Sequence, residues 1–418
     1  MNKKIVYILL DGASDGISYE ITSLEKANMP YLTKIAMESK GGMVYPIEKG
    51  VAPESDTAAI SLLGYNPRKY RIARGILEAL GSSVVWEEGD LALRCNFATA
   101  KGNMILDRRV GRSLSDYEAK ILEKEIMEKV KLPENYNFTF KHTIGHRAVL
   151  VIYRKDEPLG DNITNLDPGY VLKEGIAHAV TTIEKEIKEC EALDEHSKKS
   201  AQLVNEFFKQ SRLILEKSEV NKIRSSKGLL EANIVLTRDA GSKLPKFSNF
   251  YQRFGLKGLC IADMPVELGI AKVLGMNVIS SKDHSDVKEL YVKKVKILKE
   301  NLDKFDFFFV HIKGADEYAH DGDFEGKVSA LEDIDSYFFK RFYDDINLDE
   351  ITIIVSSDHC TPPKLKSHSD EAVPFIIRSK NVKGDGLSKF SEKECSKGSL
   401  GLIEHGYELL ERIFTLIT

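Results

Sequence analysis

Continuous rather than alternating apolarity marks several short stretches of the chain: IVYILL before Asp11, NIVL before Thr237, GLCIA before Asp263, FDFFFVHI before Lys313, ITIIVSS before Asp358, and PFIIRS. Such runs, closed by polar or glycine residues and separated by helical patterns, belong to parallel strands covered on both faces. Between two of them, Asp286 to Leu302 places Val287, Tyr291, Val295, Leu298 and Leu302 at steps of three and four, which makes one apolar helical stripe. The pattern predicts an α/β fold with a mostly parallel sheet sandwiched by helices.

From about Ser83 to Asn233 the texture changes. Strand-like pieces (VVWEE, LALRCNFAT, NFTF, RAVLVIY) alternate with two long charged helical segments, around Ser115 to Val130 and His196 to Glu219. This region reads as a smaller α+β domain, residues 84–237, inserted into a core made of 1–83 and 238–418, with hinges near Ser83 and Thr237.

Composition narrows the function classes. With 418 residues, 42% of them hydrophobic, the chain can bury a sizeable core in each of two domains. Its 64 acids against 60 lysines and arginines leave a formal charge of -4, so no broad basic field exists for nucleic acid or an anionic membrane. A small-molecule partner is the default, and a homo-oligomer remains open. Cys95, Cys190, Cys260, Cys360 and Cys395 are widely spaced and never form a C-x-x-C pair, which argues against a disulfide framework or zinc ribbon and fits a reducing compartment. The opening MNKKIVYILLDG could pass for a signal peptide, but its apolar run ends after six residues at Asp11. No apolar stretch approaches the roughly 20 residues of a bilayer crossing, and a soluble, cytoplasmic protein is expected.

In doubly wound sheets ligands bind beyond the carboxyl ends of the strands, so the residues just after each apolar run carry the chemistry. Here they are Asp11, then Asp316 and His320, then Asp358 and His359, then His368 just before PFIIRS. Each alone has an ordinary reading as a helix cap or a solvated imidazole. Together, three carboxylates and three imidazoles form an oxygen and nitrogen donor set suited to two divalent cations: Mn2+, Zn2+ or Co2+ by the histidine content, with Mg2+ also open. In GADEYAH, Asp316 and His320 are four apart and share a face if that stretch is helical.

The segment VAPESDTAAISLLGYNP sets Ser55 before an apolar helical run. Ser55 or Asp56 could simply be its N-cap. A serine hydroxyl is a poor nucleophile unless a base or a metal takes its proton, and no Ser-His-Asp spacing is evident. With the donor set above, a metal can be that activator, and Ser55 then reads as a nucleophile toward a phosphate or sulfate ester.

The chain resembles the archaeal-type cofactor-independent (2,3-bisphosphoglycerate-independent) phosphoglycerate mutases of the alkaline phosphatase superfamily. The carrying motifs are DGASDG at Asp11, PESDTAAISLLGYNP, RCNFAT at Arg94, DRRVGR at Asp107, DNITNLDP at Asp161, VHIKGADEYAHDGD at Val310, SSDHCTP at Ser356 and HSDEAVP at His368. The resemblance implies an alkaline-phosphatase-like core and an enzyme that interconverts 3-phosphoglycerate and 2-phosphoglycerate, with phosphoglycerate as substrate and no 2,3-bisphosphoglycerate cofactor. It implies one metal held by Asp316, His320 and His368, another held by Asp11, Ser55, Asp358 and His359, and Ser55 as the residue that takes the phosphoryl group. Arg108, Arg109 and Arg112 are the first candidates to grip the substrate, followed by Arg147 and Arg238, because the planar guanidinium pairs bidentately with carboxylate and phosphate. Lys313 is expected beside the transferring phosphoryl. Asp161, Asp167 and His146 are open as the general acid or base, and Asn165 stands in DNITNLDP where another acid is expected. His142, His178, His196, His284 and His405 have no such context and read as structural. The competing readings are a metal-dependent phosphatase or another phosphomutase of the superfamily, and a non-catalytic metal-binding relative.

Overall fold

The computed structural model describes residues 4–173, 176–179, 185–282 and 286–417. His284, and the side chain of His178, lie outside the described residues. The chain divides into two units, Met1–Tyr70 with Lys246–Thr418, and Arg71–Pro245.

The first unit is built on an eight-stranded sheet in the order Asn277–Ser280, Gly258–Ala262, Phe307–Ile312, Ile5–Leu10, Thr352–Ser357, Val373–Arg378, Lys40–Val44, Gly401–Ile403. The strands from Asn277–Ser280 through Thr352–Ser357 run parallel, and Val373–Arg378 is antiparallel to both neighbours. PFIIRS therefore forms a strand, but not a parallel one. Every residue of Ile5–Leu10, Phe307–Ile312 and Thr352–Ser357 is buried, as strands covered on both faces must be. On one face Val6, Ile8, Val310 and Ile353 pack with Leu32, Val295, Leu298 and Leu331 of the flanking helices. Leu10 stands in register with Ile312 on one side and Ser357 on the other. The three loops that follow consequently start at one level of the sheet edge, and that register is what gathers the site.

The second unit holds an antiparallel sheet in which Leu91–Lys101 pairs with Met104–Asp107, Arg147–Tyr153 and Ile234–Gly241, and Asn137–Ile144 lies on the far side of Arg147–Tyr153. Helix Asp116–Lys129 starts on a capping box between Ser115 and Glu118. The second charged segment breaks into two helices, Lys198–Leu215 and Glu219–Ser226.

Three expectations shift. NIVL belongs to Ile234–Gly241, an antiparallel strand of the second unit, so Thr237 is paired with Cys95 inside a sheet and is not a hinge. VVWEE is not a strand: it follows the turn that ends helix Arg74–Gly81, where the Val84 amide donates to the Ala79 carbonyl. That helix packs on Leu91–Lys101 and Ile234–Gly241, so the expected limits at 84 and 237 both move outward, to 71 and 245.

Candidate functional site

Ser55 is the first residue of helix Ser55–Leu62, whose N-cap is Glu54 and which has no side-chain cap. The cap expected of Ser55 or Asp56 is not made. The Ser55 hydroxyl instead lies 3.1 Å from His359 Nε2. His359 Nε2 is also 3.3 Å from Asp358 Oδ2 and 3.6 Å from Asp11 Oδ1. Asp11, Asp358 and His359 are all fully buried at the ends of their strands.

On the neighbouring loop, helix Ala315–Asp321 puts Asp316 Oδ2 3.3 Å from His320 Nε2, the contact that a spacing of four residues allows. His320 Nδ1 donates to the Lys366 carbonyl (3.1 Å), and His368 Nδ1 donates to the Pro53 carbonyl (2.7 Å). A carbonyl can only accept, so both rings turn an Nε2 lone pair inward. Those two Nε2 atoms are 3.2 Å apart, with Asp316 Oδ1 3.7 Å from the second. Two lone pairs and a carboxylate facing one another are a donor set that fits a cation. Buried Asp11 Oδ1 and Asp358 Oδ2 make no hydrogen bond among the described residues, and fit a second cation for the same reason.

Thr361 joins the two groups. Its hydroxyl donates to Asp316 Oδ1 and accepts from His359 Nδ1, both at 2.8 Å. Gly12, at φ +57, lets the backbone after Asp11 run so close that a Cβ there would meet Asp316 Oδ1 at 2.5 Å.

The electrostatics are those of a crowded site. Burial pushes the Asp11 carboxyl up, but Lys313, whose Nζ is 2.5 Å from Asp11 Oδ2, and the nearby imidazoles outweigh it and hold Asp11 well below the usual carboxylate range. Burial works against the Lys313 ammonium, yet Asp11 and Glu267 raise it above its ordinary value. Asp316 is brought to about 2: burial and Asp11 push it up, and His320 and His359 prevail. Asp358 is raised, chiefly by burial. His359 is raised to about 9 because Asp358, Asp11 and Asp316 together exceed the effect of its burial, so its proton must leave before the ring can ligate a metal. His368 is lowered to about 3 by burial and by His359.

The candidate arginines form a second cluster, wholly within Arg71–Pro245. Arg108 grips Asp167 with two bonds, 2.5 and 2.7 Å, and Arg238 reaches the same carboxylate at 2.7 Å. Arg94 stands opposite Arg238, and Arg147 opposite Asn96, two residues along the same strand face. Directly opposed like charges cost energy unless an anion answers them. Arg94 is 3.3 Å from Glu78 and is lowered to about 9 by burial and by Arg74 and Arg238. Arg109 and Arg112 lie lower in burial and line, with Arg108, Asp107 and Lys185, a cavity of about 490 Å³. Of the three acid or base candidates, Asp167 is occupied by its arginines, which overcome burial and hold its carboxyl below the usual range. His146 is pressed down to about 3 by burial and by Arg147, Arg109, Arg238 and Arg94, so it is a neutral ring. Asp161 accepts from the Ser242 amide. Asn165, standing in for the expected acid, accepts from the Asp239 amide. His142 bonds the Gly145 carbonyl, His196 is exposed, and His405 stacks on Tyr407.

Sequence reasoning missed four polar residues of these clusters: Thr361, Arg94, His311 and Glu267. The signal for His311 was present, since a histidine inside the buried run FFFVHI must satisfy its nitrogens somewhere.

Comparison with known proteins adds relatives along the whole length. A family model described as 2,3-bisphosphoglycerate-independent phosphoglycerate mutase matches residues 36–221. A protein of that name from Aeropyrum pernix is 41% identical, covering 99% of each chain, and one from Methanocaldococcus jannaschii is 37% identical over 97% of this chain and 96% of the relative. Among solved structures, the cofactor-independent phosphoglycerate mutase from Thermoplasma acidophilum superposes with a TM-score of 0.64 at 28% identity, covering 99% of this chain and all of that one. A Pyrococcus horikoshii protein superposes with a TM-score of 0.79 at 26% identity, over 99% and 97% of the two chains.

Proposed function

The chain belongs to the 2,3-bisphosphoglycerate-independent phosphoglycerate mutases, and from that membership we propose how its residues share the reaction. The enzyme is an isomerase that interconverts 3-phosphoglycerate and 2-phosphoglycerate, a step of glycolysis and gluconeogenesis. Ser55 is the phosphoryl acceptor. Its hydroxyl gives up its proton as Oγ attacks phosphorus, the ester bond to the glycerate oxygen breaks, and that oxygen takes up a proton. The other glycerate hydroxyl then loses its proton and attacks the phosphorus of phospho-Ser55, the bond from phosphorus to Oγ breaks, and the serine oxygen regains a proton.

Asp316, His320 and His368 hold one divalent cation, and Asp11, Ser55, Asp358 and His359 hold another. When bound, the pair lowers the pKa of the Ser55 hydroxyl and neutralises charge on the phosphoryl oxygens. Lys313, already paired with Asp11, adds a fixed positive charge beside that donor. Mn2+, Co2+ or Zn2+ suits the imidazole content better than Ca2+. The unit Arg71–Pro245 acts as the clamp: Arg108, Arg109, Arg112, Arg147 and Arg238, with Arg94, retain the glycerate while it carries no phosphate, and exclusion of water keeps phospho-Ser55 from hydrolysis. Asp167 keeps Arg108 and Arg238 aimed. A cytoplasmic setting fits the five buried free cysteines.

What carries the reading is the Ser55 hydroxyl, released from capping and set 3.1 Å from His359 Nε2 beside unbonded Asp11 and Asp358 oxygens. Quenching the metal-loaded enzyme during turnover of 3-phosphoglycerate should give a phosphorylated peptide containing Ser55. Ser55→Ala should lose the adduct and at least about 1,000-fold in kcat, as removal of a nucleophile does. Unaltered activity in that variant, or steady phosphate release with no 2-phosphoglycerate, overturns the proposal.

A further inference from the structure

His311 sits one residue before the end of strand Phe307–Ile312, buried, and level with Leu9 on the adjacent strand. One ligand atom from each of Asp11, His311 and Asp358 lies within 4.8 Å of the others. His311 Nε2 is 3.8 Å from Asp358 Oδ2, too long for a hydrogen bond, and Nε2, Asp358 Oδ2 and Asp11 Oδ1 all make none among the described residues. Behind the ring, Glu267 of helix Pro265–Val273 is buried with both oxygens free of hydrogen bonds, and its Oε1 is 3.8 Å from His311 Nδ1.

A buried carboxylate facing one nitrogen of an imidazole, with the opposite nitrogen aimed at two carboxylate oxygens, is the order of parts in a carboxylate–histidine–metal triad, with the carboxylate–imidazole bond of that triad still open at 3.8 Å. An ordinary buried ion pair would draw Glu267 and His311 into hydrogen-bond contact. On the inner side of the ring, His311 Nε2, Asp358 Oδ2 and Asp11 Oδ1 are buried, within 4.8 Å of one another and without hydrogen bonds among the described residues, and an ion among them would satisfy all three.

We propose that His311 is a fifth protein donor to the cation held by Asp11, Ser55, Asp358 and His359, with Glu267 as the positioning residue that turns its Nε2 inward. This rests on the two-cation reading above. The site would then offer its ion five protein donors. That number suits Mn2+ or Co2+ and disfavours Zn2+, which settles at four. The three-donor group Asp316, His320 and His368 has no such bias, so the two positions differ in metal preference.

The metal-free enzyme titrated with Co2+ and followed by proton NMR tests this, because each coordinated imidazole keeps one exchangeable N–H with a large paramagnetic shift. The proposal expects four such resonances when two ions are bound per chain, from His320, His368, His359 and His311. His311→Gln should lose one of them and weaken the second ion by about 10- to 100-fold, leaving the first ion in place. Glu267→Gln should keep all four, move one, and weaken the second ion by about 10-fold. Two bound ions with three resonances in the wild-type protein overturns the inference alone, whether or not the variants fold. Failure to bind a second ion at all overturns the two-cation reading and the inference with it.

Discussion

A hydroxyl has one hydrogen to give, so the two bonds of Thr361 Oγ1 fix each other's direction: it donates to Asp316 Oδ1, which can only accept, and therefore receives from His359 Nδ1. Once its second proton has left, His359 is thereby held in the tautomer whose Nε2 lone pair faces Ser55. The threonine backbone is held too, since buried Lys327 donates to its carbonyl at 2.9 Å. Thr361→Val has nearly the same shape and loses both side-chain bonds. We expect it to cost about 1 to 3 kcal/mol in urea unfolding, since it strands buried partners, and about 10- to 100-fold in kcat/KM through the misaligned ligands. Thr361→Ser should restore most of the activity. Equal kinetics for the valine and serine variants would leave Thr361 with a packing role only.

Elements decide which of these side chains meet, and here the arginine face gives a pH-dependent expectation. Arg94, Arg147 and Arg238 project from one face of three antiparallel strands, and Asp167 binds Arg108 and Arg238 from a loop. The folded Asp167 carboxyl lies below its unfolded value of about 3.9, so its stabilisation is present above that pH and disappears as pH falls through the folded value. Asp167→Asn should therefore cost about 3 to 5 kcal/mol at pH 7, the usual penalty for breaking a buried pair. The gap to the wild-type protein should close when unfolding is repeated in strongly acidic buffer. A gap that stays constant with pH would mean the carboxylate charge contributes nothing.

The same elements show where sequence periodicity reaches and where it stops. Continuous apolar runs located Ile5–Leu10, Gly258–Ala262, Phe307–Ile312 and Thr352–Ser357, and with them the loop starts that carry Asp11, Asp316 and Asp358. Burial pattern does not name a strand's partner, and so NIVL and PFIIRS were expected to be parallel and are antiparallel. Arg94 and His311 went unassigned for a related reason. Both lie inside runs read as packing, and their roles depend on which residue stands across the sheet, Arg238 for one and Leu9 beside Asp11 for the other.

At the scale of the whole molecule, a net charge of -4 says little about an anionic substrate, because the positive charge proposed to meet it is concentrated among a few arginines of one unit. The residues proposed as cation donors all belong to the other unit, Met1–Tyr70 with Lys246–Thr418. A ligand that binds only the native state stabilises what it touches by RT ln(1 + [L]/Kd), about 2.7 kcal/mol at a hundredfold excess over Kd. Added to chelated enzyme, Mn2+ should thus slow hydrogen exchange in peptides spanning Ile5–Leu10, Phe307–Ile312 and Thr352–Ser357, by up to about 100-fold where exchange requires opening of that unit. Leu91–Lys101 and Arg147–Tyr153 should respond weakly to Mn2+ and strongly to 3-phosphoglycerate, whose carboxylate and phosphate answer the arginines. Exchange followed by mass spectrometry reads both responses in one experiment. If Mn2+ protected the arginine-bearing strands as much as the strands around Asp11, or if phosphoglycerate left those strands unchanged, the assignment of cations to one unit and glycerate to the other would fail.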